Sequence, residues 1–282
     1  MVAPLGDARG AQSESRGADE KPVGVFDSGV GGLSVLRAIR QELPHEHFLY
    51  VADSACAPYG ERTAAFVADR AGTITDFLVQ QGAKAVVVAC NTATGAAVES
   101  LRARFAIPIV AIEPAIKPAA ARSRSRVVGV LATTGTLSSP NMSKLLANYG
   151  ADVEFIVQPC PGLADQVEKG ALTSDDTRLL VTRYVKPIVD KGADILVLGC
   201  THYPFLRPLI EDVAGPGVDV VDPATAVARE LRRRLETSRL LIETADAGTE
   251  QFWTTGKVGE VEAIVRQLWG RRVDVLPLGG SA

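Results

Sequence analysis

Two cysteines stand in nearly identical surroundings, and this repetition suggests paired thiol chemistry. Gln81–Thr92 (QGAKAVVVACNT) and Lys191–His202 (KGADILVLGCTH) share a Gly-Ala pair, an apolar run and a cysteine. The two thiols, Cys90 and Cys200, occupy matching positions 110 residues apart. A single cysteine at the end of an apolar run is most often a small buried hydrophobic residue. The duplication shifts the balance towards a catalytic role for both.

Each cysteine is followed at once by hydrogen-bonding residues, Asn91-Thr92 in one copy and Thr201-His202 in the other. Both pairs are expected at a strand-to-helix turn, where backbone N–H groups and the helix dipole favour an anion. Such a setting is expected to lower the pKa of a thiol from about 8.5 towards neutrality. Two such groups on opposite faces of a substrate suit racemisation without a cofactor, because one removes the α-proton and the other returns a proton.

The repetition extends beyond the cysteines. Gly24–Ser34 is echoed by Gly129–Ser139 at an offset of 105, and Ile112–Ala115 by Val221–Ala224 at an offset of 109. Three echoes in the same order predict duplicated half-domains, and the period is far too long for a solenoid.

The pattern of apolar runs predicts an α/β fold. Short runs rich in Val and Ile alternate with helical patterns, as is typical of a mainly parallel sheet flanked by helices. Four runs fall in each half, near Val23–Phe26, Phe48–Ala52, Ala85–Ala89, Ile107–Ile112, Val127–Leu131, Val153–Val157, Ile195–Leu198 and Val218–Val221. Because ligands bind at the carboxyl ends of such strands, we expect two pseudo-symmetric lobes with both thiols in the cleft between them.

The predicted division of the chain is as follows. Residues 1–21 form a disordered extension, residues 22–115 with 225–282 form the first lobe, and residues 116–224 form the second. The chain of 282 residues is 46% hydrophobic with a net charge of −3, which favours a globular protein and argues against nucleic acid as a ligand. No apolar run is long enough to span a membrane, and no signal peptide is present, so the cytoplasm is the expected location.

Several residues outside the cysteine motifs are further candidates. The glycine-rich turn Asp27–Gly32 (DSGVGG) does not match a dinucleotide fingerprint and reads by default as a capped tight turn. Its position after the first strand nevertheless places Asp27 beside the turn of Cys90. His202 is more often structural than catalytic when considered alone, but beside a thiol it can relay a proton. The Tyr59 hydroxyl is an optional ligand contact, and Glu168 reads by default as a solvated helix residue.

The motifs DSGVGG, PYG, ACNTAT and GCTHYP, in this order, resemble those of the glutamate racemases, within the aspartate/glutamate racemase superfamily. The resemblance implies interconversion of L- and D-glutamate without a cofactor or metal, supplying D-glutamate for peptidoglycan. It implies that Cys90 acts on the D-enantiomer and Cys200 on the L-enantiomer, with Asp27, His202 and Glu168 as auxiliary acids. The substrate-binding positions that it implies are Asp27, Ser28, Tyr59, Gly60, Asn91, Thr92, Thr134, Thr136, Thr201 and His202.

Two alternatives stay open from the sequence. The same fold can racemise another acidic amino acid such as aspartate, and it can serve as a catalytically silent regulator that binds DNA gyrase. A pair of opposed acid/base groups argues against the regulator, since a pure binder does not need them. The expected partner is therefore small-molecule glutamate, with neither nucleic acid nor membrane, while a homodimer and a gyrase interaction are left open. Cys56 and Cys160, which have no duplicated setting, read as structural.

Overall fold

The computed structural model describes residues 20–278. The predicted extension, residues 1–21, lies outside this range except for its last two residues. The strands of the described part are β1 (Val23–Asp27), β2 (Phe48–Ala52), β3 (Ala85–Val88), β4 (Ile109–Ala111), β5 (Val127–Ala132), β6 (Glu154–Pro159), β7 (Ile195–Gly199), β8 (Asp219–Val221), β9 (Glu250–Thr254) and β10 (Val275–Pro277). All eight strands predicted from the apolar runs are present, with ends that differ by no more than two residues.

Helices connect the strands and cover the sheets. They are α1 (Leu33–Glu42), α2 (Ala64–Gln80), α3 (Asn91–Arg104), α4 (Ile116–Arg122), α5 (Thr134–Leu137), α6 (Pro140–Tyr149), α7 (Leu163–Glu168), α8 (Asp175–Val189), α9 (Arg207–Ala214), α10 (Ala224–Thr237) and α11 (Val258–Trp269). Short 3₁₀ turns lie at Ser54–Cys56, Tyr59–Glu61 and Tyr203–Leu206. Within the described residues, no helix combines the length and apolar character needed to cross a membrane.

The strands form two parallel sheets, which confirms the predicted α/β class with two sheets flanked by helices. The first sheet has the order β10-β9-β2-β1-β3-β4, and the second has the order β6-β5-β7-β8. Every pairing in both sheets is parallel. The last two strands, β9 and β10, extend the first sheet beyond β2. The exact residue bounds of the two lobes stay a prediction.

The strand order explains why both cysteines reach a ligand-binding edge. In the first sheet the chain winds outwards in opposite directions from β1, through β2 on one side and β3 on the other. In the second sheet β5 holds the same position between β6 and β7. Ligands of open α/β sheets bind at such switch points, outside the carboxyl ends of the strands. Cys90 follows β3 and Cys200 follows β7, so each thiol lies beside a switch point.

One hydrophobic core joins the two sheets. The buried cluster that contains Val25 and Val87 of the first sheet continues through Leu131 and Leu198 of the second. Separate clusters fill the outer faces, beneath α2 and α3 in one lobe and beneath α4 and α6 in the other. The shared core fixes the two carboxyl edges relative to each other.

The duplication also appears in the packing of equivalent glycines. Gly24 in β1 and Gly129 in β5 lie 105 residues apart, and each is covered by the helix that precedes the neighbouring strand. A Cβ at Gly24 would lie 2.9 Å from Leu78 Cδ1, and one at Gly129 would lie 2.4 Å from Ile188 Cγ2. The absence of a side chain at each position therefore lets a helix approach the central strand.

We expect Gly129→Ala to destabilise the protein by about 1–3 kcal/mol, because the added methyl overpacks a filled core. Urea unfolding would show a lower midpoint with an unchanged slope. Gly259→Ala is the matched control, since Gly259 lies in α11 and a Cβ added there would meet no described residue within 4 Å apart from its chain neighbours and the backbone of its own helix. Alanine at this position should leave stability equal or higher by up to about 1 kcal/mol. Equal stability of the Gly129→Ala variant and wild type would contradict the packing argument.

Candidate active site

Cys90 sits between the end of β3 and the first turn of α3. It is the N-cap residue of α3, and its sulfur accepts a hydrogen bond from the Ala93 N–H at 3.4 Å. The Sγ atom also lies 3.9 Å from the Ser28 Oγ, with the thiol as donor. Only 5% of Cys90 is exposed. The thiol is thus held at a helix N-terminus, as the sequence predicted, but it is almost completely desolvated.

This desolvation reverses the expected pKa of Cys90. Burial raises the pKa of the thiol, and the nearby carboxyl group of Asp27 and the Cys200 sulfur raise it further. The Ala93 N–H lowers the pKa of Cys90 by a smaller amount. The prediction of a lowered thiol pKa is therefore wrong for Cys90, because one backbone hydrogen bond does not offset the loss of water around the thiolate.

Cys200 lies at the head of a relay formed by His202 and Glu168. The Cys200 Sγ is 3.6 Å from His202 Nδ1, and His202 Nε2 is 2.6 Å from Glu168 Oε1. Burial lowers the pKa of His202, but the hydrogen bonds to Cys200 and Glu168 outweigh this effect and raise the pKa well above its ordinary value of 6.5. The protonated ring donates from both nitrogens, to the sulfur on one side and to the carboxylate on the other.

Glu168 is the last residue of α7, between β6 and β7 of the second sheet, but its side chain binds the glycine-rich turn after β1. Its Oε1 accepts a hydrogen bond of 2.8 Å from the Val30 N–H. Its side chain is 20% exposed, so the default assignment as a solvated helix residue is wrong. The contact carries the relay of Cys200 across to the lobe that contains Cys90.

The glycines of the turn Asp27–Gly32 make room for this contact. A Cβ at Gly29 would lie 1.9 Å from Glu168 Oε1, and one at Gly31 would lie 2.3 Å from His202 Nδ1. Both distances are far below van der Waals contact. The turn therefore carries glycine so that the imidazole and the carboxylate can pack directly on its backbone.

Asp27, the last residue of β1, accepts a hydrogen bond from the other end of the same turn. Its Oδ2 accepts a hydrogen bond of 2.8 Å from the Gly32 N–H, and the Thr201 hydroxyl is 3.4 Å from each carboxylate oxygen. Burial raises the pKa of Asp27, the charge of His202 opposes the rise, and Glu168 adds to it. Asp27 thus lies between the two cysteine turns as a carboxyl group that ionises less readily than usual.

A cluster of threonine hydroxyls joins the lobes on the Cys90 side. Thr92 Oγ1 is 3.0 Å from Thr133 Oγ1 and 3.2 Å from Thr136 Oγ1. Sequence reasoning missed Thr133, which caps α5 through its hydroxyl. The internal repeat carries the signal that finds it, because Thr133 is the counterpart of Ser28 at the offset of 105.

The remaining candidates take different positions. Asn91 is buried, and its side-chain oxygen and nitrogen have no hydrogen-bond partner among the described residues. The Tyr59 hydroxyl donates to Asp53 Oδ2 at 2.5 Å, so it is already engaged within the first lobe. Gly60 faces the second lobe, where a Cβ would lie 2.7 Å from Thr133 Cβ. Thr134 begins α5 with an exposed side chain, which sets it apart from the buried cluster.

Together the buried groups can exchange protons at the carboxyl ends of the two sheets. Cys90 and Cys200 supply two thiols, with Asp27 near Cys90 and His202 beside Cys200. Among the residues that the structure describes, no three His, Cys, Asp or Glu side chains are grouped as ligands for a metal ion.

We expect replacement of Glu168 by Gln to lower the pKa of His202, because a neutral amide stabilises the imidazolium less than a carboxylate does. A folded-state pKa above 6.5 means that His202 protonation stabilises the fold fully below about pH 6.5, and that this contribution disappears as the pH rises through the folded pKa. The stability lost in Glu168→Gln should thus be largest near pH 6 and shrink at higher pH.

The titration can be followed by NMR on the imidazole protons. The chain has three histidines, and the signal that is absent from a His202→Ala variant belongs to His202. Wild-type His202 should titrate well above the ordinary value of 6.5, and His202 of the Glu168→Gln variant should titrate closer to that value. A His202 that titrates at the same pH in both proteins would contradict the relay.

Known proteins are similar to this chain in both sequence and fold. A glutamate racemase from Methylococcus capsulatus is 54% identical over 266 residues, which cover 94% of this chain and 98% of the relative. The crystal structure of a glutamate racemase isoform from Bacillus anthracis superposes with a TM-score of 0.85 at 32% identity, covering 93% of this chain and 98% of that one.

A second solved structure, the Escherichia coli glutamate racemase in complex with L-glutamate and an activator, has a TM-score of 0.80 at 30% identity. The match covers 91% of this chain and 97% of that one. Residues 23–231 match the family described as Asp/Glu/hydantoin racemase, and this span contains both cysteine motifs and the glycine-rich turn. With a family match over most of its length and relatives of such identity, the chain belongs to the Asp/Glu/hydantoin racemase family.

Proposed function

We infer that this chain interconverts L- and D-glutamate by a two-base mechanism in which Cys90 and Cys200 exchange protons with opposite faces of the α-carbon. The observation that carries the inference is the pair of thiols at equivalent switch points of two sheets that share one core. The choice of glutamate rests on a relative named glutamate racemase, which is 54% identical over 94% of this chain.

The reaction needs one thiolate and one thiol at the start of each turnover. Burial keeps the pKa of Cys90 high, which favours its protonated form. The Cys200 sulfur instead faces His202, which can donate a hydrogen bond to it at 3.6 Å when protonated. We assign removal of the α-proton of L-glutamate to Cys200 and return of a proton to the opposite face to Cys90. This assignment agrees with the roles implied by the family resemblance.

Removal of the α-proton leaves negative charge on the substrate carboxylate. Preformed donors stabilise such charge most effectively in a dry site. Two groups support this role: the unpartnered Asn91 amide and the buried hydroxyl of Thr92. Return of a proton from Cys90 to the opposite face then gives D-glutamate, and the same steps in reverse regenerate the L-enantiomer.

The auxiliary acids have distinct tasks in this scheme. His202 contacts the Cys200 sulfur, to which its protonated ring can donate a hydrogen bond, and Glu168 holds the imidazole in place. Asp27 lies beside the Cys90 turn, where its raised pKa suits a group that exchanges a proton or binds the substrate amine. We place the product in peptidoglycan synthesis and the reaction in the cytoplasm, where free thiols persist.

Single replacement of either thiol should abolish racemisation while leaving the fold intact. We expect Cys90→Ser and Cys200→Ser each to lower kcat by about a thousandfold or more, because a serine hydroxyl is far too weak an acid to replace a thiol in proton transfer. Chiral chromatography of the products measures the loss, and incorporation of deuterium at the α-carbon in heavy water measures proton exchange directly.

Cys160→Ala is the matched control, since Cys160 is also buried at the end of a strand but holds no position in the scheme. It should retain wild-type turnover to within about threefold, as expected for a structural thiol. Purified wild-type protein that failed to exchange the α-proton of glutamate without pyridoxal phosphate would overturn the proposed function. Tight gyrase binding without turnover would favour the regulator instead.

Glutamate should be preferred over aspartate. A difference of one methylene in a fitted pocket changes kcat/KM by about 10–200-fold. We therefore expect kcat/KM for L-glutamate to exceed that for L-aspartate by about this factor, measured with the same enzyme preparation. An equal or higher kcat/KM for L-aspartate would contradict the preference for glutamate and would leave the two-thiol scheme unchanged.

A further inference from the structure

Asp53 is a fully buried carboxylate that directly follows β2 and has no part in the proposed proton transfers. Its Oδ1 accepts hydrogen bonds from Arg70 Nη2 and the Thr255 hydroxyl, both at 2.7 Å. Its Oδ2 accepts from Arg70 Nε at 2.9 Å and from the Tyr59 hydroxyl at 2.5 Å. Four donors from three separate segments thus converge on one side chain.

Stability alone does not account for this arrangement. Burial raises the pKa of Asp53, but the hydrogen bonds from Arg70, Tyr59 and Thr255 outweigh the effect and lower the pKa, so the group is ionised. Replacing a buried ion pair by apolar side chains is often neutral or stabilising. We call Asp53 with its three partners the Asp53 hub. This hub provides fixed geometry, because the two hydrogen bonds from Arg70 set the orientation of the Asp53 carboxylate, and the carboxylate sets the orientation of the Tyr59 phenol.

The hub adjoins the active site through two connections. The Asp53 N–H donates to the backbone carbonyl of Asp27 at 3.0 Å, which ties the end of β2 to the glycine-rich turn. The Tyr59 ring is buried in the same cluster as Cys90. The next residue, Gly60, packs against Thr133 of the second lobe. A shift of the hub would therefore displace a turn that borders both Cys90 and the opposite lobe.

We propose that Asp53 and Arg70 are positioning residues of the reaction, which hold the Tyr59–Gly60 turn at a fixed place beside Cys90 so that its backbone contacts the substrate. The phenol of Tyr59 is committed to Asp53, so the turn offers the substrate backbone groups and not the hydroxyl. The inference rests on the proposed function, because it requires a substrate in the cleft between the two thiols.

The test is steady-state kinetics of three variants with glutamate, after wild-type activity has been established. Asp53→Asn removes the charge, Arg70→Lys keeps the positive charge but loses the bidentate geometry, and Tyr59→Phe removes only the hydroxyl. We expect KM to rise by about tenfold or more in Asp53→Asn, with a fall in kcat/KM of up to about a hundredfold, since a displacement near 1 Å has effects of this size. Arg70→Lys and Tyr59→Phe should show smaller rises of KM in the same direction.

Glu46→Gln is the matched control at the opposite end of the same strand. Glu46 is buried, lies 2.6 Å from Lys84 Nζ and accepts a hydrogen bond from the Ile242 N–H. It precedes β2, whereas Asp53 follows it. This variant should lower Tm while KM and kcat stay within about twofold of wild type below Tm, as expected for a buried ion pair remote from the site.

The outcomes separate the two proposals. Wild type without racemase activity would overturn the proposed function. Active wild type with an unchanged KM in Asp53→Asn, at a temperature where the variant is folded, would overturn the positioning role alone. If Asp53→Asn does not fold, Tyr59→Phe and Arg70→Lys decide: a raised KM in both supports the proposal, and a lowered Tm with wild-type KM overturns it.

Discussion

The site depends on the close approach of His202 and Glu168 to the backbone of the first glycine-rich turn. A side chain at Gly29 or Gly31 would overlap the carboxylate or the imidazole. The Val30 N–H between these glycines binds Glu168 directly. Through this one contact the relay of Cys200 is fixed by the lobe that holds Cys90. The relative placement of the two cysteine turns therefore depends on this contact as well as on the core that the two sheets share.

Burial determines how the two thiols can differ. Dry surroundings raise the pKa of Cys90 and of Asp27, because water does not solvate either group when it ionises. The same surroundings strengthen the hydrogen bonds that hold His202 protonated between Cys200 and Glu168. A raised thiol pKa also makes the thiolate a stronger base once it forms, which suits the removal of a weakly acidic α-proton. Desolvation therefore favours removal of the α-proton by a thiolate, although it opposes ionisation of the free thiol.

The sequence predicted the framework because the framework follows from periodicity and repetition. The eight apolar runs give eight strands, and the repeat places Cys90 and Cys200 at equivalent edges. Contacts across the lobes were not predictable in this way. By itself Glu168 looks like any acidic residue of a short helix. The family resemblance implies an auxiliary acid at this position, but only the folded chain brings it 2.6 Å from His202. The raised pKa of Cys90 is not predictable for a related reason, since the helix N-terminus is visible in the sequence but the exclusion of water is not.

Divergence between the copies is a requirement of the reaction and not only a trace of its history. A site with perfect twofold symmetry would give both thiols the same surroundings and hence the same tendency to ionise. Racemisation needs one of them charged and the other protonated at the same pH. The two copies share their strands but differ in the side chains beside each thiol. Ala132 stands at the position equivalent to Asp27, and Thr201-His202 at the positions equivalent to Asn91-Thr92. The duplicated strands therefore place the two thiols at equivalent positions, and the unmatched neighbours give the two thiols different surroundings.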